Sequence, residues 1–302
     1  HTRSYSVTVV QTCALPILFG EGALSDSSWA GTIGLWHGLK QWQWITTLYY
    51  APASFHNTVH PHLYQPEVNL QQWNIGLGRT LHQSGRFSFM LQIQRHPWVR
   101  YHLTYAGTVQ RQILFWAEWQ PYRSILLSCR LKQNLSPVSQ SMETSKRVLD
   151  YYLNSIYLQT DVDVSKKLSL RSRLEWNRRH DQQLAGSTKA DSQGMALYQQ
   201  IRIHAPAWCK ITARLTWFNN PCYDNRVYLY EPDVPGIMRI KMLYGQGWRR
   251  IILLALTPLR GLQLSAKYEE TLYSDRNRIG SGWDEIRGNR ERLFTVQLDQ
   301  RW

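Results

Sequence analysis

The chain has 302 residues, of which 19% are charged, and its 35 Lys and Arg against 21 Asp and Glu give a formal net charge of +14. Its mean hydropathy is −0.43. The longest clean apolar run, residues 251–256, is far shorter than the roughly 20 residues that a membrane helix needs. A helical membrane protein is therefore excluded. The four cysteines form no C-x-x-C pair, so neither a disulfide framework nor a cysteine-based metal site is expected.

The first residues are treated separately from the rest of the chain. Residue 1 is His rather than Met, and residues 4–17 resemble translated sequencing-adapter sequence. Their apolar content is typical of a signal peptide, but no clear basic segment leads into it. We expect residues 1–20 to be non-native or disordered. Residues 21–302 are expected to form the folded domain of a fragment.

Alternation of apolar and polar residues predicts β-strands through the rest of the chain. The clearest examples are residues 86–94, 125–132, 168–176, 209–217 and 262–269. Each covers about 8 to 11 residues, which is the length that a tilted strand needs to cross a bilayer. After the first segment, no stretch keeps a 3.6-residue period. The sequence therefore predicts an all-β chain.

The predicted connections alternate between short and long. Short turns are expected at residues 120–123, 164–166, 205–207, 231–236 and 257–261, and longer polar loops at 133–146, 178–193, 219–225 and 274–290, with a tight connection at 245–247. Transmembrane barrels have short turns at one end and long loops at the other. The predicted fold is an antiparallel up-and-down transmembrane β-barrel of about 14–16 strands. Either a strand around residues 32–38 begins it or strands are missing at the N-terminus.

Charged residues indicate which face of these strands meets water. A closed barrel of about 15 strands is too wide for side chains to fill, and burying many charges in a dry core is costly. Apolar residues are therefore expected to face lipid, and polar residues a wet lumen. The basic residues predicted to line the lumen are Arg130, Lys132, Arg171, Arg173, Lys210, Arg214 and Lys267. They would select anions or pair with Asp150, Glu175 and Glu269 inside a plugged barrel.

Tyr and Trp are enriched, with 17 Tyr and 14 Trp against 7 Phe. Such amphipathic rings favour the boundary between lipid and water. The predicted interfacial aromatic residues are Trp119, Tyr122, Trp176, Trp208, Trp217 and Trp302. The last strand is expected to face lipid through Phe294, Val296, Leu298 and Trp302. A terminal aromatic residue in this pattern resembles the signal by which outer-membrane barrels are recognised for insertion.

Several segments resemble a known family. They are residues 226–231 (RVYLYE), 243–247 (LYGQG), 273–286 (YSDRNRIGSGWDEI) and 96–101 (HPWVRY). Together they resemble the C-terminal β-barrel region of Bacteroidota helix-hairpin-helix domain-containing proteins, most closely over about the last 80 residues. The helix-hairpin-helix itself is absent from this sequence. The resemblance implies an outer-membrane location and a DNA-facing partner domain outside these residues.

No catalytic or metal-ligating residues are predicted, and no cofactor is expected. Asp275, Asn277, Gly280, Asp284 and Glu285 faintly resemble a calcium loop, but their spacing is one residue short and a solvated loop is the better interpretation. His102 and His204 lie in predicted strands without the nucleophile motif that a lipase-like barrel needs.

The predicted function is therefore non-enzymatic: a porin-like channel, translocation conduit or envelope scaffold in a Gram-negative outer membrane. Its expected partners are the lipid bilayer and the barrel-insertion machinery, and an anionic ligand or DNA bound through the missing domain. The alternative is a soluble basic all-β protein that binds nucleic acid or polysaccharide.

Overall fold

A computed structural model describes residues 4–8, 16–25, 28–55, 69–81, 84–99, 106–141, 146–181, 191–204, 206, 208–280 and 282–300. Fifteen strands follow one another in a single hydrogen-bonded order, β1 to β12, then β15, β16 and β19. Every pair whose register is defined is antiparallel. The predicted all-β, up-and-down antiparallel fold is confirmed. Among the described strands, no pairing joins β19 to β1.

The strands of this sheet are mostly longer than the 8–11 residues that the sequence pattern predicts. Their bounds are β1 Ser4–Thr8, β2 Ile17–Ser25, β3 Ser28–Leu39, β4 Trp42–Ala51, β5 Leu70–Leu81, β6 Gly85–His96, β7 Thr108–Tyr122, β8 Ile125–Ser141, β9 Lys146–Ser165, β10 Leu168–Asp181, β11 Ser192–His204, β12 Cys209–Asn220, β15 Gly245–Leu259, β16 Leu262–Tyr273 and β19 Arg290–Gln300. The longest, β9, has 20 residues. Since about 9–11 tilted residues suffice to cross a bilayer, β9 is longer than a membrane crossing requires.

Four short strands and two turns of 3-10 helix lie in the connections. Strands β13 (Val227–Tyr230) and β14 (Ile240–Leu243) form one hairpin, and β17 (Arg278–Ile279) pairs with β18 (Ile286–Arg287). The 3-10 turns are Tyr223–Asn225 and Gly282–Asp284. Among the residues that the structure describes, no helix is long and apolar enough to span a membrane.

Most predicted strands and turns are confirmed, but three connections were wrong. Residues 133–141 continue β8 instead of forming a loop, and residues 245–247 begin β15 instead of forming a turn. Residues 231–236 are not a turn at the short-turn end, because they lie inside one long connection between β12 and β15. Strand β2 begins at Ile17, four residues before the domain boundary predicted at residue 21, and that boundary stays a prediction. Whether the first segment is adapter-derived remains a prediction.

The described residues divide into two compact units. The first comprises residues 1–117, 130–154 and 180–190, and the second residues 118–129, 155–179 and 191–302. In the first unit, Ile33, Leu48 and Trp73 are cross-strand neighbours and each is more than 40% exposed. The opposite face carries a chain of amide hydrogen bonds from Gln94 to Gln72, from Gln72 to Asn74 and from Asn74 to Thr47, all 2.8–2.9 Å long.

The second unit shows the same separation more clearly. We call one side of its strands the open face, and seven of its large apolar residues are at least 46% exposed: Leu197, Leu215, Trp248, Ile252, Phe294, Val296 and Leu298. The other side, the covered face, carries polar and aromatic residues that are at most 6% exposed, namely Tyr198, Gln200, Arg214, Thr216, Arg249, Lys267, Glu269 and Thr271. Exposed aliphatic and buried charged side chains are the reverse of the arrangement in a water-soluble protein.

Candidate functional site: a polar face covered by a loop

The connection of residues 221–244, which we call the inserted loop, lies over the covered face of the second unit. Its hairpin strands β13 and β14 contribute Val227, Leu229 and Leu243 to a buried cluster with strand residues Phe218 and Tyr273. The amide of Asn220 donates a hydrogen bond of 3.1 Å to the carbonyl of Leu243, which fixes the two ends of the loop together. The apolar half of this hairpin therefore packs near the ends of the strands that support it.

The tip of the inserted loop lies much further along the strands. The side-chain amide of Gln297 donates to the carbonyl oxygen of Pro235 at 2.9 Å. Gln297 is paired with Ser265, which lies eight residues along β16 from Tyr273. At roughly 3.3 Å per residue, the loop follows the covered face for about 26 Å. It therefore covers most of the length of β16.

Buried ion pairs hold the inserted loop to the strands. Arg249 binds Glu231 through both arms of its guanidinium, at 2.6 and 2.7 Å, and donates to the hydroxyl of Thr271 at 2.7 Å. The side chains of Arg249 and Glu231 are 1% and 2% exposed. A bidentate Arg–carboxylate pair fixes both distance and orientation. This pair therefore sets the position of the loop segment that follows β13.

A second group of ion pairs continues from this one. The ammonium of Lys267 lies 2.9 Å from Asp233 and 2.6 Å from Glu269, and Arg239 reaches Glu269 at 2.9 Å. We call the six residues the ion-pair cluster: Glu231, Asp233, Arg239, Arg249, Lys267 and Glu269. Three cations meet three carboxylates in it. Three of the six residues come from the loop, so the loop supplies the charge balance of the covered face.

Arg214 anchors the loop through hydrogen bonds and stacking on an aromatic ring. It donates hydrogen bonds of 2.6 Å to the carbonyl oxygen of Tyr230 and to the amide oxygen of Gln200. Its guanidinium lies 4.2 Å from the centre of the Tyr198 ring. The planar guanidinium suits such stacking on an aromatic face. Arg214 therefore joins β11, β12 and the inserted loop.

The segments that resemble the helix-hairpin-helix family meet at the strand end beside this loop. Arg276 of the 273–286 segment lies 4.9 Å from the ring of Tyr244 and 4.7 Å from the ring of Tyr273. Gly245 sits beside it at φ +90°, where a Cβ would come within 2.0 Å of the Arg276 guanidinium. The hydrogen bond from Arg276 lowers the pKa of Asp275. Asp275 therefore stays ionised at neutral pH and holds Arg276 over the two rings.

The remaining segment that resembles this family, residues 96–101, has a local structural contact in the first unit. The backbone N–H of Trp98 donates 2.8 Å to the side chain of Asn69, whose own amide donates 3.0 Å to the carbonyl of Trp98. Nδ1 of His96 lies 3.0 Å from the carbonyl oxygen of Asn69. Asn69 has a φ of 63°, a left-handed conformation that Asn tolerates. Residues 100 and 101 of this segment lie outside the described part of the chain.

A cavity of about 310 Å³ lies at the other end of the covered face. Arg123, Arg171 and Arg202 line it together with Asp161 and Asp163. Arg171 forms an ion pair with Asp161. The cavity is lined mainly by charged and polar groups, and it is large enough for a small polar solute.

The predicted lumen residues occupy several environments. Lys267 belongs to the ion-pair cluster, and Arg173 pairs with Glu175 and stacks 4.2 Å from the ring of Tyr157. Lys210 is exposed at the short-turn end of β12. Arg130 and Lys132, in the first unit, are half-buried on the face of β8 opposite Leu131. The structure thus gives the cations Arg171, Arg173 and Lys267 carboxylate partners.

The sequence pattern missed the loop residues of the cluster. Glu231 and Asp233 were assigned to a turn, and Arg249 was not among the basic residues predicted to line the lumen. Their one signal is a pair of carboxylates in a proline-containing segment, Glu231-Pro-Asp-Val-Pro235, that is too acidic for a short turn in a basic chain.

The predicted aromatic residues lie near strand ends in the second unit. Trp119, Tyr122 and Trp208 are 51–69% exposed beside the short turns. Trp217 lies near the long-loop end of the open face, directly beside Trp248, which the sequence analysis missed. Phe294, Val296 and Leu298 lie on the open face and are 56–66% exposed. Trp302 lies outside the described residues.

Other chemistry that the sequence suggested finds little structural support. Asp275, the first residue of the calcium-like segment, is held by Arg276. Within the described residues, no group of three or more His, Cys, Asp or Glu side chains is arranged to hold a metal ion. His204 lies at the end of β11, paired with Lys210, whereas His102 lies outside the described ranges.

Comparison with known proteins identifies a fold and no family. The chain is similar to the FrpB iron transporter from Neisseria meningitidis, with a TM-score of 0.53 and 9% identity over 91% of this chain and 45% of that one. It also matches a Pseudomonas aeruginosa FadL homologue (TM-score 0.38, 9% identity, 93% of this chain and 79% of that one) and the P. putida toluene transporter TodX (TM-score 0.34, 9% identity, 93% and 83%). No protein-family model and no curated protein sequence matches the chain.

The chain thus spans less than half the length of the FrpB transporter. At 9% identity, the likeness to FrpB establishes the antiparallel fold alone. The function has to be argued from the chain's own residues.

Removal of one member of the buried pair is expected to release the inserted loop. Glu231→Ala removes the bidentate partner of the buried Arg249 and leaves it only the longer contact of 3.2 Å with Glu269, at a cost of about 3–5 kcal/mol. We expect proteolysis within residues 221–244 to be at least tenfold faster in detergent-refolded protein, while the strands stay protected. The double variant Glu231→Leu/Arg249→Met removes both charges and should recover most of the protection.

The matched control is Glu285→Ala, because Glu285 is 34% exposed and its partner Arg278 is 3.9 Å away. Its cleavage rate should equal that of the unmodified protein. Equal rates for Glu231→Ala and Glu285→Ala would contradict a loop held by this pair.

Proposed function

We propose that the chain is the β-barrel of a Gram-negative outer-membrane protein, and that it acts as a non-enzymatic, porin-like conduit for polar solutes. The inserted loop would occupy its lumen. In this proposal the open face contacts lipid, the covered face lines the lumen, and the long loops lie outside the cell. A translocation conduit and an envelope scaffold share this architecture and differ in what passes through it.

The observation that carries the proposal is the open face of the second unit. Five neighbouring strands, β11, β12, β15, β16 and β19, place apolar residues side by side on it. One row crosses all five strands as Ile201, Ala213, Ile252, Tyr268 and Phe294. Water-soluble monomers rarely expose apolar patches larger than a few hundred Å². Lipid is the environment in which this face has low energy.

Aromatic residues at the strand ends support the same assignment. Exposed Trp119, Tyr122 and Trp208 lie by the short turns, and Trp217 and Trp248 lie near the long-loop end. Two levels of Trp and Tyr that bracket an apolar band are typical of transmembrane barrels. The partly exposed last strand, with Phe294, Val296 and Leu298, would present its apolar side to lipid and to the insertion machinery.

The covered face favours a polar cargo. It presents charged and amide side chains along its whole length, and its cavity is lined by three Arg and two Asp residues. Since the ion-pair cluster is balanced, anion selectivity would come from the remaining cations Arg123, Arg202, Lys210 and Arg214. Closure of the barrel requires a further pairing for β19, because an unpaired strand edge is unfavourable in lipid.

Membership of the helix-hairpin-helix family stays a proposal. It is supported by the contacts that join the resembling segments to one another around Tyr244, Tyr273 and Arg276. A DNA-binding partner domain would then lie in a part of the protein beyond this sequence.

Refolding into detergent and lipid vesicles tests the membrane assignment. A folded barrel should migrate differently on gels before and after heating, and it should remain with the vesicles after a carbonate wash. Val296→Arg places a charge near the middle of the open face and should cost about 2–4 kcal/mol, so vesicle insertion should fall at least tenfold.

Gln263→Arg is the matched control, because Gln263 lies on the covered face, is half-buried and is paired with Asp299, which can balance the added charge. It should insert normally. Equal insertion of the two variants would contradict the facing assignment. Solubility without detergent, together with unchanged gel mobility, would support the soluble alternative.

Removal of the inserted loop tests the conduit. Replacement of residues 225–241 by a short Gly-Ser linker should raise single-channel conductance several-fold in planar bilayers, because the loop follows the covered face for about 26 Å. Heat-dependent mobility should be retained. Arg278→Gln, in the long connection between β16 and β19, serves as the control and should leave conductance unchanged. Equal conductance with and without the loop would contradict a loop-filled lumen.

A further inference from the structure

The open face of the second unit carries one charged group among its apolar residues. On strands β11, β12, β15, β16 and β19, its only charged side chains within the described residues are Arg250, Glu270, Arg290 and Arg292. Arg250 and Arg292 lie directly beside Glu270 on either side. The carboxylate of Glu270 lies 2.7 Å from the guanidinium of Arg292 and 3.5 Å from that of Arg290. Arg250 also forms an ion pair with Glu270. One carboxylate therefore serves three guanidinium groups.

This group has an unbalanced charge. The side chain of Glu270 is 5% exposed, whereas those of Arg250, Arg290 and Arg292 are 57%, 49% and 54% exposed. Each guanidinium has five N–H donors, so the single carboxylate leaves most of them unused. The net charge is +2. The ion-pair cluster on the covered face shows the contrast, since its three cations meet three carboxylates.

The level of the group on the strands indicates its surroundings. Glu270 lies three residues before the end of β16, and Arg292 is the third residue of β19. At about 3.3 Å per residue, the group is within about 10 Å of the long-loop strand ends. Trp248 and Leu272 lie one row nearer that end, and Tyr268 and Phe294 one row nearer the middle. In a bilayer this level corresponds to the headgroup region, where Trp is also enriched.

We propose that Arg250, Arg290 and Arg292 bind the phosphate of a membrane lipid headgroup in the leaflet at the long-loop end. This inference rests on the proposed membrane function. Arginine matches phosphate through paired N–H donors, and an anionic partner balances the two excess charges. The occupant is a lipid rather than a soluble anion because the apolar row below, Ile252, Tyr268 and Phe294, offers a surface for its acyl chains. Glu270 holds the guanidinium groups together and competes with the phosphate.

Binding of a phosphorylated lipid tests this site. Protein refolded in detergent is titrated with a bisphosphorylated glucosamine lipid, with the same lipid after dephosphorylation, and with inorganic phosphate, and bound lipid is counted by native mass spectrometry. The phosphorylated lipid should bind at least tenfold more tightly than the dephosphorylated one. Inorganic phosphate at millimolar concentration should not displace it.

Variants separate this site from general attraction to a basic protein. Arg250→Gln/Arg290→Gln/Arg292→Gln should abolish the preference for the phosphorylated lipid. Arg278→Gln should retain this preference, because it removes an arginine that is 76% exposed in the connection between β16 and β19. Glu270→Gln should tighten binding, because it removes the competing carboxylate and raises the net charge of the group.

The outcomes distinguish the site from the membrane assignment. Normal heat-dependent mobility without a preference for phosphorylated lipid overturns the lipid site alone, as does a preference that survives in the triple variant. Displacement by millimolar inorganic phosphate overturns the lipid as occupant. Absence of heat-dependent mobility in the unmodified protein overturns the membrane assignment, and the lipid site with it.

Discussion

The separation of two strand faces is the constraint on which the rest of the structure depends. Successive side chains of a strand point to opposite sides, so each strand must suit two environments at once. In the second unit, Leu215 is 50% exposed while its neighbours Arg214 and Thr216 are 6% and 2% exposed. A slip of one residue between strands would exchange the faces. The register therefore has to be kept across β11, β12, β15, β16 and β19. A lone charge on the open face, or an unbalanced charge on the covered face, is costly.

The inserted loop follows from the same constraint. Strand residues Arg249, Lys267 and Glu269 carry more positive than negative charge on the covered face, and a buried excess charge is unfavourable. Glu231 and Asp233 compensate it, with Arg239 completing the balance. The loop is thus held by charge pairing at its tip and by apolar packing of Val227, Leu229 and Leu243 near the strand ends. On the open face, Glu270 balances only one of the three charges of Arg250, Arg290 and Arg292. We propose that a lipid phosphate supplies the negative charge that the inserted loop supplies on the covered face.

Much of this arrangement could be predicted from local pattern. Period-2 alternation predicted the strands around Ile211 and Leu264 and which side chains share a face, because two different environments require apolar and polar residues to alternate along a strand. The path of the inserted loop could not be predicted in this way. Glu231 and Asp233 contact Arg249 and Lys267 through ion pairs between residues 18 and 34 positions apart, and such pairing has no periodic signal. The start of β15 was missed because Gly245 and Gly247 suggest a turn, although Gly245 is needed where Arg276 approaches.

Site-directed spin labelling along β19 tests the two-faced strand most directly. Single labels at residues 294–299, in a background without the native cysteines, are placed in vesicles and exposed to oxygen or to a water-soluble nickel chelate. Alternation with a period of two is expected. Labels at 294, 296 and 298 should be relaxed mainly by oxygen from the lipid, and labels at 295, 297 and 299 should be shielded from it. Equal accessibility along the strand, or alternation in the opposite phase, would contradict the assignment of lipid to the open face.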